Sequence, residues 1–181
     1  TGQPTKPLTE MIICDDNNKK LPNGISGEIY IKTPSNFRCY WNDKNATNEA
    51  FYKGWFKTGD IGFLDEDNYL FIVDRAKDIV IRGGENISCL EVEDSINSHP
   101  YVLEASVYGI PDERLGEILC CSLTIQDKKE IKEEDIKDYL KNHLAGFKIP
   151  PFFDFHKKQL PRTASGKIYK LQLRKEMEKR F

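Results

Sequence analysis

The rhythm of apolar and polar positions changes near the middle of the chain. Residues 8–14 (LTEMIIC) form an apolar run, and residues 27–33 (GEIYIKT) alternate apolar with polar side chains. Both patterns predict strands. A polar loop containing Pro22 and Gly24 separates them. An irregular stretch follows, rich in aromatics, among them Phe37, Trp41, Phe51 and Trp55. Residues 55–73 then predict two short strands around the turn DEDN at 65–68. Up to this point the chain reads as closely spaced β structure, a small barrel or a sheet layer.

From residue 74 onward the pattern differs. An apolar strand (DIVIR) leads into a Gly-Gly turn and a short return strand. Ser88 and Glu91 have the spacing of a capping box, which predicts a helix starting near Cys89 and ending about Ser98, before Pro100. Residues 102–110 and 117–125 predict two strands around the turn PDERLG. Leu119, Cys121, Leu123 and Ile125 alternate, which implies one buried face. Residues 132–147 predict an amphipathic helix with Ile136, Tyr139, Leu140, His143 and Leu144 on one side. A strand at 152–155 and a basic closing helix from residue 170 complete the order. Hairpin, helix, two strands, helix, strand, helix describe a compact α+β domain. Between the two regions, DRAKD (74–78) carries four charges in five residues with neither Gly nor Pro, so it reads as a short ordered hinge.

Composition narrows the functional classes. With 181 residues the chain has room for one domain, or for a small domain plus part of another. A net charge of −2 provides no global field toward nucleic acid or membrane. The basic tail intersperses Glu176 and Glu178 and reads as a solvated helix face. No apolar run reaches the roughly 18–20 residues of a membrane helix, and membrane association is left open. The opening TGQPTKPLTE lacks Met and the layout of a signal peptide, so it is expected to be the edge of a longer protein. Five cysteines without a CxxC pair, and three histidines far from ligand spacing, imply no metal site. Reduced cysteines acting as core side chains fit a reducing, cytoplasmic setting.

Four short stretches carry candidate chemistry. In KTGD (57–60), Asp60 can accept the two hydroxyl donors of a ribose, although Thr-Gly-Asp is also a common turn. Arg75 in DRAKD can add donors to the same oxygens, or form only surface ion pairs. RGGENIS (82–88) is either an anion-facing glycine turn or a plain hairpin, and it lacks the G-x-G-x-x-G fingerprint. LPRTASGKIYK (160–170) fails the phosphate-loop pattern twice, at Pro161 and Ile168. It leaves Lys167 as a point charge carried by a mobile turn.

Taken in order, GEIYIKTP, GWFKTGD, DRAKDIVIRGGENIS, EVEDSINSHPYVLEASVYGIPDERLGE, HLAGFKIP and LPRTASGKIYK resemble the adenylate-forming (AMP-binding) superfamily, in its acyl-CoA synthetase or fatty-acid–CoA ligase branch. The resemblance spans nearly the whole chain. It implies an acid–thiol ligase that activates a carboxylic acid, expected to be a fatty acid, with ATP and Mg2+, and passes the acyl group to CoA. Residues 1–74 are then the β-rich end of a large N-terminal domain whose remainder lies outside this chain. Residues 75–77 are a hinge and residues 78–181 the small mobile C-terminal domain. The resemblance implies that Lys167 is the adenylation catalyst, that Asp60 and Arg75 bind the ribose, and that Lys77 sits at the hinge. Gly84 and Phe147 are implied for CoA binding, with Phe147 equally readable as a core aromatic. Asn86 stands where some members have a phosphate-contacting Arg. The phosphate loop and adenine motif of the superfamily are absent from these residues, so the chain alone is expected to be inactive. A carrier-protein-loading adenylation domain is the alternative enzyme. A non-catalytic interaction module that retains the fold is the alternative outside enzymes.

Overall fold

The structure is a computed structural model that describes residues 2–5, 7–126 and 131–181. It divides into two compact units, Thr1–Lys77 and Asp78–Phe181. Among the described residues there are two five-stranded sheets and four α-helices, the α+β architecture that the periodicity predicts.

The first unit is an antiparallel sheet. β1 (Glu10–Cys14) pairs with β2 (Gly27–Lys32), and β2 pairs with the long β4 (Trp55–Leu64). The other edge of β4 receives β3 (Phe51–Tyr52) and β5 (Leu70–Arg75). Ile13, Ile29 and Leu64 form its core. The aromatic stretch read as irregular contains a helix, α1 (Lys44–Ala50), capped by the Asp43 carboxylate, which accepts from the Ala46 amide. None of its side chains is buried, so no apolar period marks it. Phe37 instead packs edge-on against Phe51 and Phe56.

The second unit begins with β6 (Ile79–Arg82) and β7 (Glu85–Ser88), followed by α2 (Cys89–Asn97). The Ser88 hydroxyl accepts from the Glu91 amide at 3.1 Å, the N-cap that the S-x-x-E spacing predicts. β8 (Val102–Asp112) and β9 (Gly116–Ile125) form the central hairpin. β10 (Phe152–His156) adds in parallel to β9. α3 (Glu133–Leu140) and α4 (Lys170–Glu178) complete the unit.

Two features depart from the pattern. The sheet is buried on both faces. Val107, Leu119, Cys121 and Leu123 face Val92 and Ile96 of α2 and Ile136 and Leu140 of α3. Tyr108, Ile110 and Cys120 face Leu160 and Leu173 and Met177 of α4. Alternation therefore marks two cores rather than one core and one wet face. The predicted helix at 132–147 also stops at Leu140. The chain tightens into turns there, keeping Leu144 buried and leaving His143 exposed, stacked on Tyr139. Four cysteines are buried, as expected of core side chains, whereas Cys39 is exposed.

Candidate functional site

The first unit holds a polar corner built on a bulge. Between the register pairs Glu28–Ile61 and Tyr30–Lys57, Ile29 alone faces Thr58, Gly59 and Asp60. Two extra residues on β4 lift this tripeptide out of the β2–β4 ladder. Gly59 adopts φ +72, the left-handed region, and open space lies where a Cβ would sit. Thr58 locks the bulge: its hydroxyl donates to the Ile29 carbonyl at 2.8 Å and accepts from the Asp60 amide at 3.1 Å. Glu28 accepts from the Gly59 amide at 3.2 Å and lies 3.6 Å from Lys57 Nζ. Asp60 thus projects from a fixed backbone, its side chain 30% exposed, with Arg75 Nε 3.3 Å from its Oδ1. One carboxylate edge faces a guanidinium. A carboxylate of that kind accepts from paired hydroxyl groups. Arg75 closes β5, and a single 3₁₀ turn, Ala76–Asp78, carries the chain through Lys77 to β6.

The second unit carries the other candidates on two separate features. Gly83 and Gly84 join β6 to β7 with φ +59 and +89, the positive values that a two-residue type I′ hairpin requires. Arg82, just before this turn, donates from Nη1 to the Phe147 carbonyl at 3.1 Å. The next residue, Lys148, reaches both carboxylate oxygens of Glu91 at 2.7 Å. These anchors hold the 3₁₀ turn Gly146–Lys148 beside the glycine turn, and Phe147 is 39% exposed. The core-aromatic alternative for Phe147 is not what the packing shows. Asn86 is exposed on β7.

Lys167 sits on a small closed hairpin rather than on a loose turn. Arg162 and Ile168 form a β-bridge. Inside it the Thr163 amide donates to the Lys167 carbonyl at 2.8 Å, and the Gly166 amide to the Thr163 carbonyl at 2.9 Å. Gly166 supplies the φ of +84 that turns the chain. Below, the Tyr169 amide donates to the Pro161 carbonyl at 2.7 Å. Lys167 is exposed, and among the described residues its ammonium has no salt-bridge partner. Its neighbours differ. Arg162 is engaged by Glu104, and Lys170 lies 2.9 Å from Glu93. Burial acts against the charge of Lys170, but Glu93, Cys89 and Asp78 together outweigh it and hold the ammonium pKa above the usual lysine value.

Glu28, Thr58, Arg82, Glu104 and Arg162 were not singled out by motif. The available signal was a charged residue inside an apolar strand, as in LEASV, or an Arg set against a turn. No group of three or more His, Cys, Asp or Glu suited to a metal ion occurs among the described residues. No helix among them is long and apolar enough to cross a membrane.

Residues 91–167 match the AMP-binding enzyme C-terminal domain. The chain is 43% identical over 169 residues to the long-chain-fatty-acid–CoA ligase FadD13 of Mycobacterium tuberculosis, covering 93% of this chain and 33% of that protein. It is 38% identical over 180 residues to the fatty acid–[acyl-carrier-protein] ligase ScoC of Streptomyces coeruleorubidus, covering 99% of this chain and 34% of that one. The O-succinylbenzoate coenzyme A synthetase of Bacillus subtilis, solved with ATP and magnesium ion, superposes with a TM-score of 0.84 at 37% identity, over 98% of this chain and 35% of that one. The chain therefore spans about a third of the length of the proteins it matches. It belongs to the adenylate-forming superfamily and carries the C-terminal domain of such an enzyme.

Proposed function

We propose that this chain is the working end of an acid–thiol ligase that joins a carboxylic acid, a fatty acid by its relatives' names, to the thiol of CoA. In the first half-reaction a carboxylate oxygen attacks the α-phosphorus of ATP, and the bond to the pyrophosphate oxygen breaks. Negative charge gathers on the non-bridging α-phosphate oxygens. Lys167 supplies a cation there, worth about 3–4 kcal/mol by analogy with single electrostatic donors in other active sites. Asp60, with Arg75 beside it, accepts from the ribose hydroxyls. Magnesium, when bound with ATP, neutralises phosphate charge. The ion would be held mostly by ATP and by the part of the enzyme outside this chain.

In the second half-reaction the CoA sulfur attacks the acyl carbonyl carbon and AMP leaves. Gly84 offers a backbone without a Cβ for close passage of the pantetheine arm, and the exposed Phe147 ring offers a stacking face for the adenine. Residues 1–74 serve as the end of a large nucleotide-holding domain, residues 75–77 as the hinge with Lys77 at its centre, and residues 78–181 as the small domain that turns between the two steps.

The observation that carries this reading is the Lys167 ammonium, without a salt-bridge partner among the described residues, on an ordered hairpin whose neighbouring cations are both neutralised. Its test is Lys167→Ala in the longer enzyme, followed by pyrophosphate release. Adenylate formation is expected to fall at least a hundredfold. A loss smaller than tenfold contradicts the electrostatic role and returns the chain to a docking module. ScoC supports a second acceptor, a carrier-protein thiol. Rates with CoA against holo-carrier protein separate the two.

A further inference from the structure

Glu104 is a charged residue near the start of β8, flanked by Leu103 and Ala105, and both of its oxygens are engaged. Oε1 accepts from the Leu160 amide at 2.8 Å, and Oε2 takes the Arg162 guanidinium through Nη2. Its side chain is only 16% exposed. Arg162 in turn spends its donors in three directions. Besides Glu104, Nη1 donates to the Gly166 carbonyl at 2.8 Å, and the Gln159 amide, with its oxygen and nitrogen exchanged to suit its neighbours, accepts from Nε at 2.9 Å. The two ends of the hairpin are thereby tied to one carboxylate: the entry strand at Leu160, and the tip, through Arg162, at the residue just before Lys167. A guanidinium serves because its planar fork reaches two acceptors at fixed angles, which an ammonium cannot do.

We propose that Glu104 and Arg162 are positioning residues for Lys167: the Glu104 carboxylate fixes Arg162, and Arg162 fixes the Gly166 carbonyl, so that the lysine amine is presented from a set place on β8. This rests on the adenylation role of Lys167. The pair also neutralises Arg162, so among the described residues Lys167 is the hairpin cation without a salt-bridge partner. A surface ion pair that merely stabilised the domain would need neither the second bond to Gly166 nor the bond to the Leu160 amide. An amine displaced by about 1 Å from its reacting position costs on the order of a hundredfold in rate, and loosening one of several ties should cost a part of that.

The test uses the longer enzyme that carries this chain. Glu104→Gln keeps an acceptor for the Leu160 amide but removes the charge. Arg162→Lys keeps the charge but loses the fork. For both, the rate of adenylate formation is expected to fall about thirtyfold with the KM for ATP within twofold. Transfer from a supplied acyl-adenylate to CoA, a step without Lys167, is expected to stay within twofold. In a Lys167→Ala background, Glu104→Gln is expected to add less than a twofold loss. Amide hydrogen exchange at Thr163 and Gly166 is expected to accelerate at least tenfold in both variants, while exchange in β9 is unchanged. An equal fall in both half-reactions means domain damage and overturns the proposal. So does an unchanged adenylation rate in both variants while Lys167→Ala abolishes it, an outcome that leaves the proposed function standing. If Lys167→Ala itself leaves adenylation within tenfold, the proposed function and the inference fall together.

Discussion

Asp60 and Arg75 are register partners across the β4–β5 ladder, with Arg75 Nε 3.3 Å from Asp60 Oδ1, and Arg75 lies two residues before the boundary between the two units at Lys77. The proposed ribose corner and the proposed pivot are therefore consecutive along the same strand end. Any ligand gripped by Asp60 is held next to the segment that is proposed to turn.

That pairing predicts a binding effect with little stability effect. Exposed ion pairs contribute about 0–1 kcal/mol, because water competes for both charges. Asp60→Ala should leave the urea midpoint nearly unchanged. In the longer enzyme it should raise the KM for ATP about tenfold while kcat for adenylation changes less, as expected when an interaction is made equally in ground and transition states. Calorimetric titration with ATP checks the binding, and a parallel denaturation curve checks the fold.

Gly84 and Phe147 should report on the second half-reaction alone. Gly84→Asn places a side chain where open space now lies, and Asn tolerates positive φ better than most residues, so the hairpin should persist. Phe147 is partly exposed, so Phe147→Ala should cost less stability than a core truncation. Each should raise the KM for CoA about fivefold or more and leave pyrophosphate release from ATP and acid unaffected. Equal loss in both steps would indicate that these residues only support the domain.

The two faces of the second sheet predict independent cores. Leu140 is packed with α2 on one face and Leu173 with Leu160 on the other, and both are fully buried. Leu140→Ala and Leu173→Ala should each cost about 2–5 kcal/mol. Their combination should be additive within about 0.5 kcal/mol, because the cavities share no wall. Urea denaturation of the two single variants and the double variant measures this.

The legibility of the chain followed its apolar periods. α2, β8 and β9 could be placed because each buries a regular set of side chains, and α2 also carries its cap in Ser88. α1 escaped because none of its residues is buried and only Asp43 marks its start. The second core escaped because Cys120 and Ser122 look like the off-face of an alternating strand, while the helix that covers them comes some fifty residues later in the chain. His143 was placed on a buried side by extending a 3.6-residue period past the real end of α3. Among the proposed site positions, Lys167, Asp60 and Arg75 stand in motifs that the sequence shows directly. The bulge that lifts Asp60 and the Glu104–Arg162 tie depend on partners tens of residues away in sequence, and no local pattern encodes them.

The buried thiols predict a loss of stability on the alkaline side. Burial pushes the Cys120 pKa to about 12 and moves Cys121 well above its ordinary value, because a thiolate there would lose its hydration. An unfolded thiol ionises near pH 8.5. Between these values the folded chain keeps a proton that the unfolded chain releases, so rising pH favours unfolding. Each thiol then contributes a slope of about 1.4 kcal/mol per pH unit above roughly pH 8.5. Lys170 adds in the same direction only at higher pH, since its raised pKa is lost as stabilisation through the alkaline limb. Urea denaturation in reducing buffer from pH 7.5 to 10 should therefore show a flat region followed by a steady fall. Replacing both cysteines by Ala should lower stability at neutral pH through the cavities left behind, yet flatten the slope between pH 9 and 10 by nearly 3 kcal/mol per unit. An unchanged slope in that double variant would assign the alkaline loss to other groups.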